Sequence, residues 1–264
     1  ISAYDGADTI SSSGGDDQIT AAVPATIDGG TGNDSISMNG GMATGGDGDD
    51  LIEDGENGST IGGGLGNDKI AGGEGNDIIS GEDGNDQIGC VLGPVSCEAD
   101  STSYEDGNDT IYGGPGDDWI WGGAGDDTIR GDAGYDNIRG DFSNTTGLGG
   151  SDTIAGGTEG DNIYVGSTST QSDLSTNIVD GGGGDDYILG ANGNDVLNGN
   201  QNADNIGGAD GADDLSGGGG DDQLSGGTGA DGLDGGPATD SCDGGVDADV
   251  DTAVACEAPL ANIP

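Results

Sequence analysis

The chain predicts an all-β repeat fold of short strands joined by tight turns, and three observations carry that prediction. Aliphatic residues recur at a spacing of nine. Glycine and acidic residues crowd the intervals between them. Finally, the acidity is not the kind that solvates helices: of 52 acids, eight are Glu and the other 44 are Asp, a poor helix former.

The spacing justifies the strands. Ile1, Ile10 and Ile19 stand nine apart, as do Ile52, Ile61, Ile70, Ile79 and Ile88. Ile111, Ile120, Ile129 and Ile138 keep the same step. So do Ile188, Leu197, Ile206, Leu215, Leu224 and Leu233, with Cys242 in the next slot. The unit is G-G-x-G-(N/D)-D-x-U-x, where U is aliphatic. Clean copies are GGTGNDSIS at Gly29–Ser37, GGLGNDKIA at Gly63–Ala71, GGAGDDTIR at Gly122–Arg130 and GGGGDDQLS at Gly217–Ser225. A period of nine with one apolar site suits short strands and turns, not a helix. Side chains alternate along a strand, so position eight faces inward while positions seven and nine face water.

The glycines and acids justify the turns. Glycine at positions one, two and four tolerates positive φ and lets backbone carbonyls crowd toward an ion. Asp and Asn at positions five and six supply hard oxygen ligands of the kind Ca²⁺ prefers. Position five carries Asn33, Asp49, Asn67, Asn76, Asn85, Asn108, Asp117, Asp126, Asp185, Asn194 and Asp221. Position six carries Asp17, Asp34, Asp50, Asp68, Asp77, Asp86, Asp109, Asp118, Asp127, Asp136, Asp152, Asp161, Asp186, Asp195, Asp204, Asp213, Asp222 and Asp231. All of these are candidate metal ligands.

This nonapeptide resembles the RTX, or haemolysin-type, calcium-binding repeat, and the resemblance covers almost the whole chain. It implies a right-handed parallel β-roll with two nonapeptides per turn and multiple Ca²⁺ ions in the turns. The first six residues of each unit would form the turn and the last three the strand. Like positions two repeats apart would then stack at about one strand spacing, ~4.8 Å. Carboxylates that close repel by roughly 3–4 kcal/mol per pair at an effective dielectric near 20. The expectation is therefore a chain loosely structured without calcium and rigid with it.

The expected architecture is one domain over residues 1–264, of about thirteen turns, with a C-terminal cap at 235–264. The phase breaks near 38–44, 90–103, 140–146 and 165–177, where loops on the solenoid edge are expected. Gly40–Thr44 looks like a shortened repeat. Four cysteines remain. Sequence-local pairing would join Cys90 to Cys97 and Cys242 to Cys256, with two other connectivities open. Paired thiols point to an oxidising compartment, and hence to a secreted, extracellular or cell-surface protein. The chain opens ISAYDGADTI without Met, which reads as a mature or trimmed product. Ile1 sits at a core position with no cap before it. That arrangement raises the expectation of a longer array, or of head-to-tail assembly with itself into filaments.

The formal net charge of -49, with 3 basic residues and no histidine, excludes nucleic acid and anionic membrane surfaces as partners. No apolar run approaches a bilayer span. Zinc is not expected without histidine or a paired CxxC. No catalytic constellation is visible, since every adjacent acid pair falls in a turn, so the chain reads as non-catalytic. Trp119 and Trp121 flank inward Ile120 and are expected to be exposed, with Trp121 stacked on Arg139 and Tyr112 on Arg130. That patch could bind a glycan or a surface protein. The function expected is a rigid extracellular structural unit. The alternatives are an adhesin or stalk, and the folding tail of a larger type I secretion substrate.

Overall fold

The computed structural model describes residues 1–3, 8–55, 57–89, 107–141, 149–166, 175–245 and 250–257. Every regular element among them is a β-strand, and every strand pairing is parallel. The chain divides into two compact units, residues 1–133 and 134–264.

In the first unit, successive strands alternate between two sheets of seven strands each. Sheet one runs from Ser2–Ala3 through Lys69–Ala71 to Trp119–Gly123, and sheet two from Thr9–Ser11 through Ser59–Leu65 to Thr128–Ala133. Each strand pairs with the strand two further along the chain. Two strands therefore make one turn of a parallel β-solenoid. The second unit repeats the plan with six strands per sheet, Asn137–Asp141 to Ser241–Gly245 and Thr153–Gly157 to Thr252–Val254. Parallel strands need crossover connections, and here the connection is the opposite sheet itself.

The register sets equivalent repeats side by side. Ile52 pairs with Ile70, Ile61 with Ile79 and Leu197 with Leu215. The slot at position eight is a sealed aliphatic column in each sheet. Ile52, Ile70, Ile79, Ile88, Ile129, Ile188 and Leu215 are all fully buried, and so is Cys242. The columns explain the strict nine-residue step, because one polar residue in the slot would be sealed in without a partner. The turns explain the glycines. Gly66 has φ +129°, and a Cβ there would collide with the carbonyl of Gly48 one turn back. Stacked left-handed turns of this kind leave no room for a side chain.

The phase breaks are absorbed without loss of register. Ile79 pairs with Ile111 and Ile88 with Ile120 across the 90–106 segment. Ile138 pairs with Ile163, and Ile163 in turn with Ile188. The shortened repeat at Gly40–Thr44 places Ala43 in the aliphatic column, between Ile27 and Ile61. At the later break Val179 takes the inward slot, and its neighbour Ile178 is left exposed.

Two aromatic expectations are corrected. Trp119 is 53% exposed, but Trp121 is buried at 7%. Its neighbour one turn back is Gly89, whose built Cβ would stand 3.0 Å from the Trp121 Cβ. With no side chain on Gly89, the indole has space to lie against the sheet. Arg139 lies over Tyr164, 5.5 Å from the ring centre, and Tyr164 packs on Tyr187 at 5.6 Å. Tyr112 does pair in register with Arg130. The Arg130 guanidinium, however, turns to Asp132 of its own strand, at 3.0 Å. An ion pair two residues away is a nearer partner than a neutral ring.

Candidate metal centres in the turns

The turns form two edges, one leading into the strands of sheet one and one into those of sheet two. The structure separates the two acidic positions of each turn by burial. Position six is buried in Asp34, Asp50, Asp68, Asp77, Asp86, Asp109, Asp118, Asp127, Asp136, Asp152, Asp161, Asp186, Asp195, Asp204, Asp213, Asp222 and Asp231, whereas Asp17 is half-buried. Position five is exposed throughout: Asn33, Asp49, Asn67, Asn76, Asn85, Asn108, Asp117, Asp126, Asp185, Asn194 and Asp221. Position five thus faces solvent and position six the interior in these turns.

Each position builds its own ladder. At position six, Oδ1 accepts the backbone N–H of the position-six residue one turn earlier. Asp17 donates to Asp34 at 2.8 Å, Asp34 to Asp50 at 2.7 Å, Asp50 to Asp68 at 2.8 Å and Asp68 to Asp86 at 2.8 Å. The second unit repeats this from Asp161 through Asp186, Asp204 and Asp222 to Asp240. At position five the direction reverses. Asn67 N–H donates back to Asp49 Oδ1 at 2.8 Å, and Asn85 N–H to Asn67 Oδ1 at 2.9 Å.

The second oxygen of the buried carboxylate is the informative one. Oδ2 of Asp34, Asp50, Asp68, Asp77, Asp86, Asp109, Asp161, Asp186, Asp204, Asp213 and Asp222 is sealed from solvent and has no hydrogen-bond partner. In each of these turns except that of Asp109, it points at the glycine in position one. A Cβ built on Gly63 would fall under 3.0 Å from both Asp68 Oδ2 and the carbonyl oxygen of Gly81, one turn on. The same two kinds of oxygen meet at Gly29, Gly45, Gly81, Gly156 and Gly208. A bare glycine wall, a neutral carbonyl and an orphaned carboxylate oxygen thus converge in turn after turn. Buried polar atoms in folded proteins are almost always satisfied, so the orphan requires a partner.

Burial also fixes the electrostatics. Loss of solvation pushes Asp68 up to about 7; the Asp50 N–H works against that, and the like charges of Asp86 and Asp50 add to it. The same causes bring Asp77, Asp204 and Asp213 to about 7 and Asp161 to about 8. Among the described residues no three acidic or thiol side chains gather round one point. An ion here would draw much of its shell from the backbone carbonyls beside the carboxylate. That hard, oxygen-only donor set fits Ca²⁺ and does not suit a soft metal.

Three buried members of the column were not among the expected ligands. Asp240 and Asp251 continue the two edges past Asp222 and Asp231, accepting their N–H groups at 2.9 and 3.1 Å. The stretch GGPATDSCD, with Cys242 in the aliphatic slot, was the available signal for Asp240. Asn177 holds position six between Asp152 and Asp195. Cys242 and Cys256 are joined in a disulfide, with Cα atoms 5.9 Å apart. The expected pairing of Cys90 with Cys97 lies outside the described residues.

Fold and turns together define a class: parallel β-solenoids of glycine- and aspartate-rich repeats whose acidic edges are built to hold hard cations. A family model described as RTX calcium-binding nonapeptide repeat (4 copies) matches residues 1–22, 26–41, 54–88, 104–138, 180–215, 207–242 and 216–251. These matches span more than half of the chain, which belongs to that family. No curated protein matches it.

Proposed function

We propose that the protein is a non-catalytic calcium-binding scaffold, secreted or displayed at the cell surface, that is stiff when its turns hold several ions. The observation that carries this reading is the repeated orphan: a buried, unpartnered Oδ2 facing a carbonyl across a glycine. A divalent cation satisfies that oxygen and cancels the repulsion along the column. Position six would hold the ion with the carbonyls around it. Position five would stay outside, tying one turn to the next. The Cys242–Cys256 disulfide supports an oxidising location, where free calcium is also abundant.

The test is far-UV circular dichroism and melting during a calcium titration, with magnesium as the control. Calcium should order the chain steeply, and magnesium should be a poor substitute because it demands a smaller octahedral shell. The same spectrum and melting point in a chelator and in calcium would overturn the reading. A second role, as an adhesin, is favoured by one observation: Trp119 is exposed beside Trp121, with ring centres 5.8 Å apart. Glycan-array binding that is lost on Trp119→Ala would support it.

A further inference from the structure

Positions one and six of the turn change together. From Gly29 onward, every described turn with glycine at position one has aspartate at position six. Four turns have neither: Ala21 with Ala25, Met38 with Gly41, Asp54 with Ser59, and Val165 with Asn177. The turn into Asp109 follows Cys90 instead of glycine, and the other mixed cases lie at the start of the chain. They are Ala3 with Asp8, and Ser12 with Asp17, where the Ser12 hydroxyl donates to Asp17 Oδ2.

In the four exceptional turns the cradle described above is filled by the protein itself. Ala21, Ala25, Met38 and Val165 are buried apolar residues placed where other turns hold bare glycine and carboxylate. In the third turn the carboxylate has moved to position one, and the Ser59 hydroxyl, buried at position six, donates to Asp54 Oδ2. In the fourth, the Asn177 amide donates to Oδ1 of Asp195 at 2.9 Å; in the next turn of the same edge, Ala191 N–H donates to Oδ2 of Asp195 at 3.0 Å. No orphaned oxygen is left at Asp17, Asp54 or Asp195. A methyl group, a thioether, a hydroxyl or an amide stands in for the ion.

We infer that these four turns are metal-free by construction, and that calcium loads the two edges of the first unit unequally. This rests on the calcium reading of the edges. The edge entering sheet one carries position-six aspartates without a gap from Asp17 to Asp86. The edge entering sheet two has Ala25, Gly41 and Ser59 in succession, and its run of orphaned carboxylates begins only at Asp77. The early turns of that edge are therefore closed by packing and neutral hydrogen bonds. They can form before any ion arrives and template the turns that need one. In the second unit, Asn177 and Asp195 interrupt the corresponding column in the same way.

The experiment counts calcium per chain at saturation, by native mass spectrometry of the full chain, with circular dichroism to check folding. Asp68→Ala should lower the count. Ser59→Ala and Asn177→Ala should leave it unchanged. The paired variants Asp54→Gly with Ser59→Asp, and Val165→Gly with Asn177→Asp, restore glycine and aspartate, and each should add an ion. A lower count in Ser59→Ala or Asn177→Ala would overturn the inference, as would a folded paired variant with no added ion. A natural chain that takes up no calcium would overturn the reading of the edges and this inference with it. Calcium uptake with a misplaced count would overturn this inference alone.

Discussion

Asp68 Oδ1 accepts the backbone N–H of Asp50 at 2.8 Å, while Oδ2 of the same carboxylate is sealed against Gly63 with no partner. One side chain thus does two jobs, tying a turn to its predecessor and holding out a bare oxygen. Replacing Asp68 by Ala removes both; replacing the exposed Asn67 removes only outer hydrogen bonds, to Asn85 N–H and Asp49 Oδ1. We expect Asn67→Ala to cost about 0.5–1.5 kcal/mol in the calcium-loaded state, with calcium affinity retained. Asp68→Ala should lose calcium affinity as well. Isothermal titration with calcium, followed by urea melts, separates the two.

Gly63→Ala tests the same pocket from the opposite wall. Its methyl group would enter the space bounded by Asp68 Oδ2 and the Gly81 carbonyl. Overpacking of this kind costs roughly 1–3 kcal/mol, and the variant should also bind less calcium. Retention of full calcium binding and stability would show that the space is not used.

The pH dependence has a definite sign. Burial raises Asp68, Asp77, Asp204 and Asp213 to about 7 and Asp161 to about 8. In the unfolded chain the same groups titrate near ~3.9. A raised folded value means the native state binds protons more tightly, so its contribution is full below that unfolded value. It is lost as pH climbs through about 7 to 8. The metal-free chain should thus gain structure on acidification from pH 8 toward 4.5. Calcium favours the ionised carboxylates and should reverse the trend. Melting in chelator and in calcium across that interval measures both limbs.

Three alanines, Ala209, Ala238 and Ala255, sit in glycine territory. Ala209 has φ +83° and Ala238 φ +124°. Left-handed backbone costs an L-residue with a Cβ roughly 1–2 kcal/mol. Ala209→Gly and Ala238→Gly should therefore raise the melting point of the calcium-loaded protein, against the usual destabilising effect of added glycine. A fall would show that the turns relax around the methyl group.

The Cys242–Cys256 disulfide closes a loop of 14 residues at the end of the second unit. Bridges over loops of this size contribute about 3 kcal/mol. Reduction, or Cys256→Ser, should raise hydrogen exchange in the strands Ser241–Gly245 and Thr252–Val254 before it affects Lys69–Ala71. Uniform loosening would instead mean that the bridge acts on the whole chain.

The period of nine made most of this legible in advance. It identified the inward Ile and Leu, the two-residue acidic step and the aliphatic role of Cys242. What it missed depended on neighbours a full turn away. Trp121 looked exposed because Gly89 lies 32 residues earlier in the chain yet one strand over. Arg130 chose Asp132 because a nearby carboxylate outcompetes a ring. Asn177 was hidden because its partners Asp152 and Asp195 lie at unequal distances, 25 and 18 residues away. The split between positions five and six lies in the turns, outside the strands, and only burial shows which of the two faces inward.

The pairing of Ile79 with Ile111 and of Ile88 with Ile120 means that the strands flanking residues 90–106 meet as if nothing lay between them. A ladder that tolerates such an interruption at one rung should accept foreign peptide at the same place. Gly89 and Gly107 are then the natural splice points for an inserted peptide.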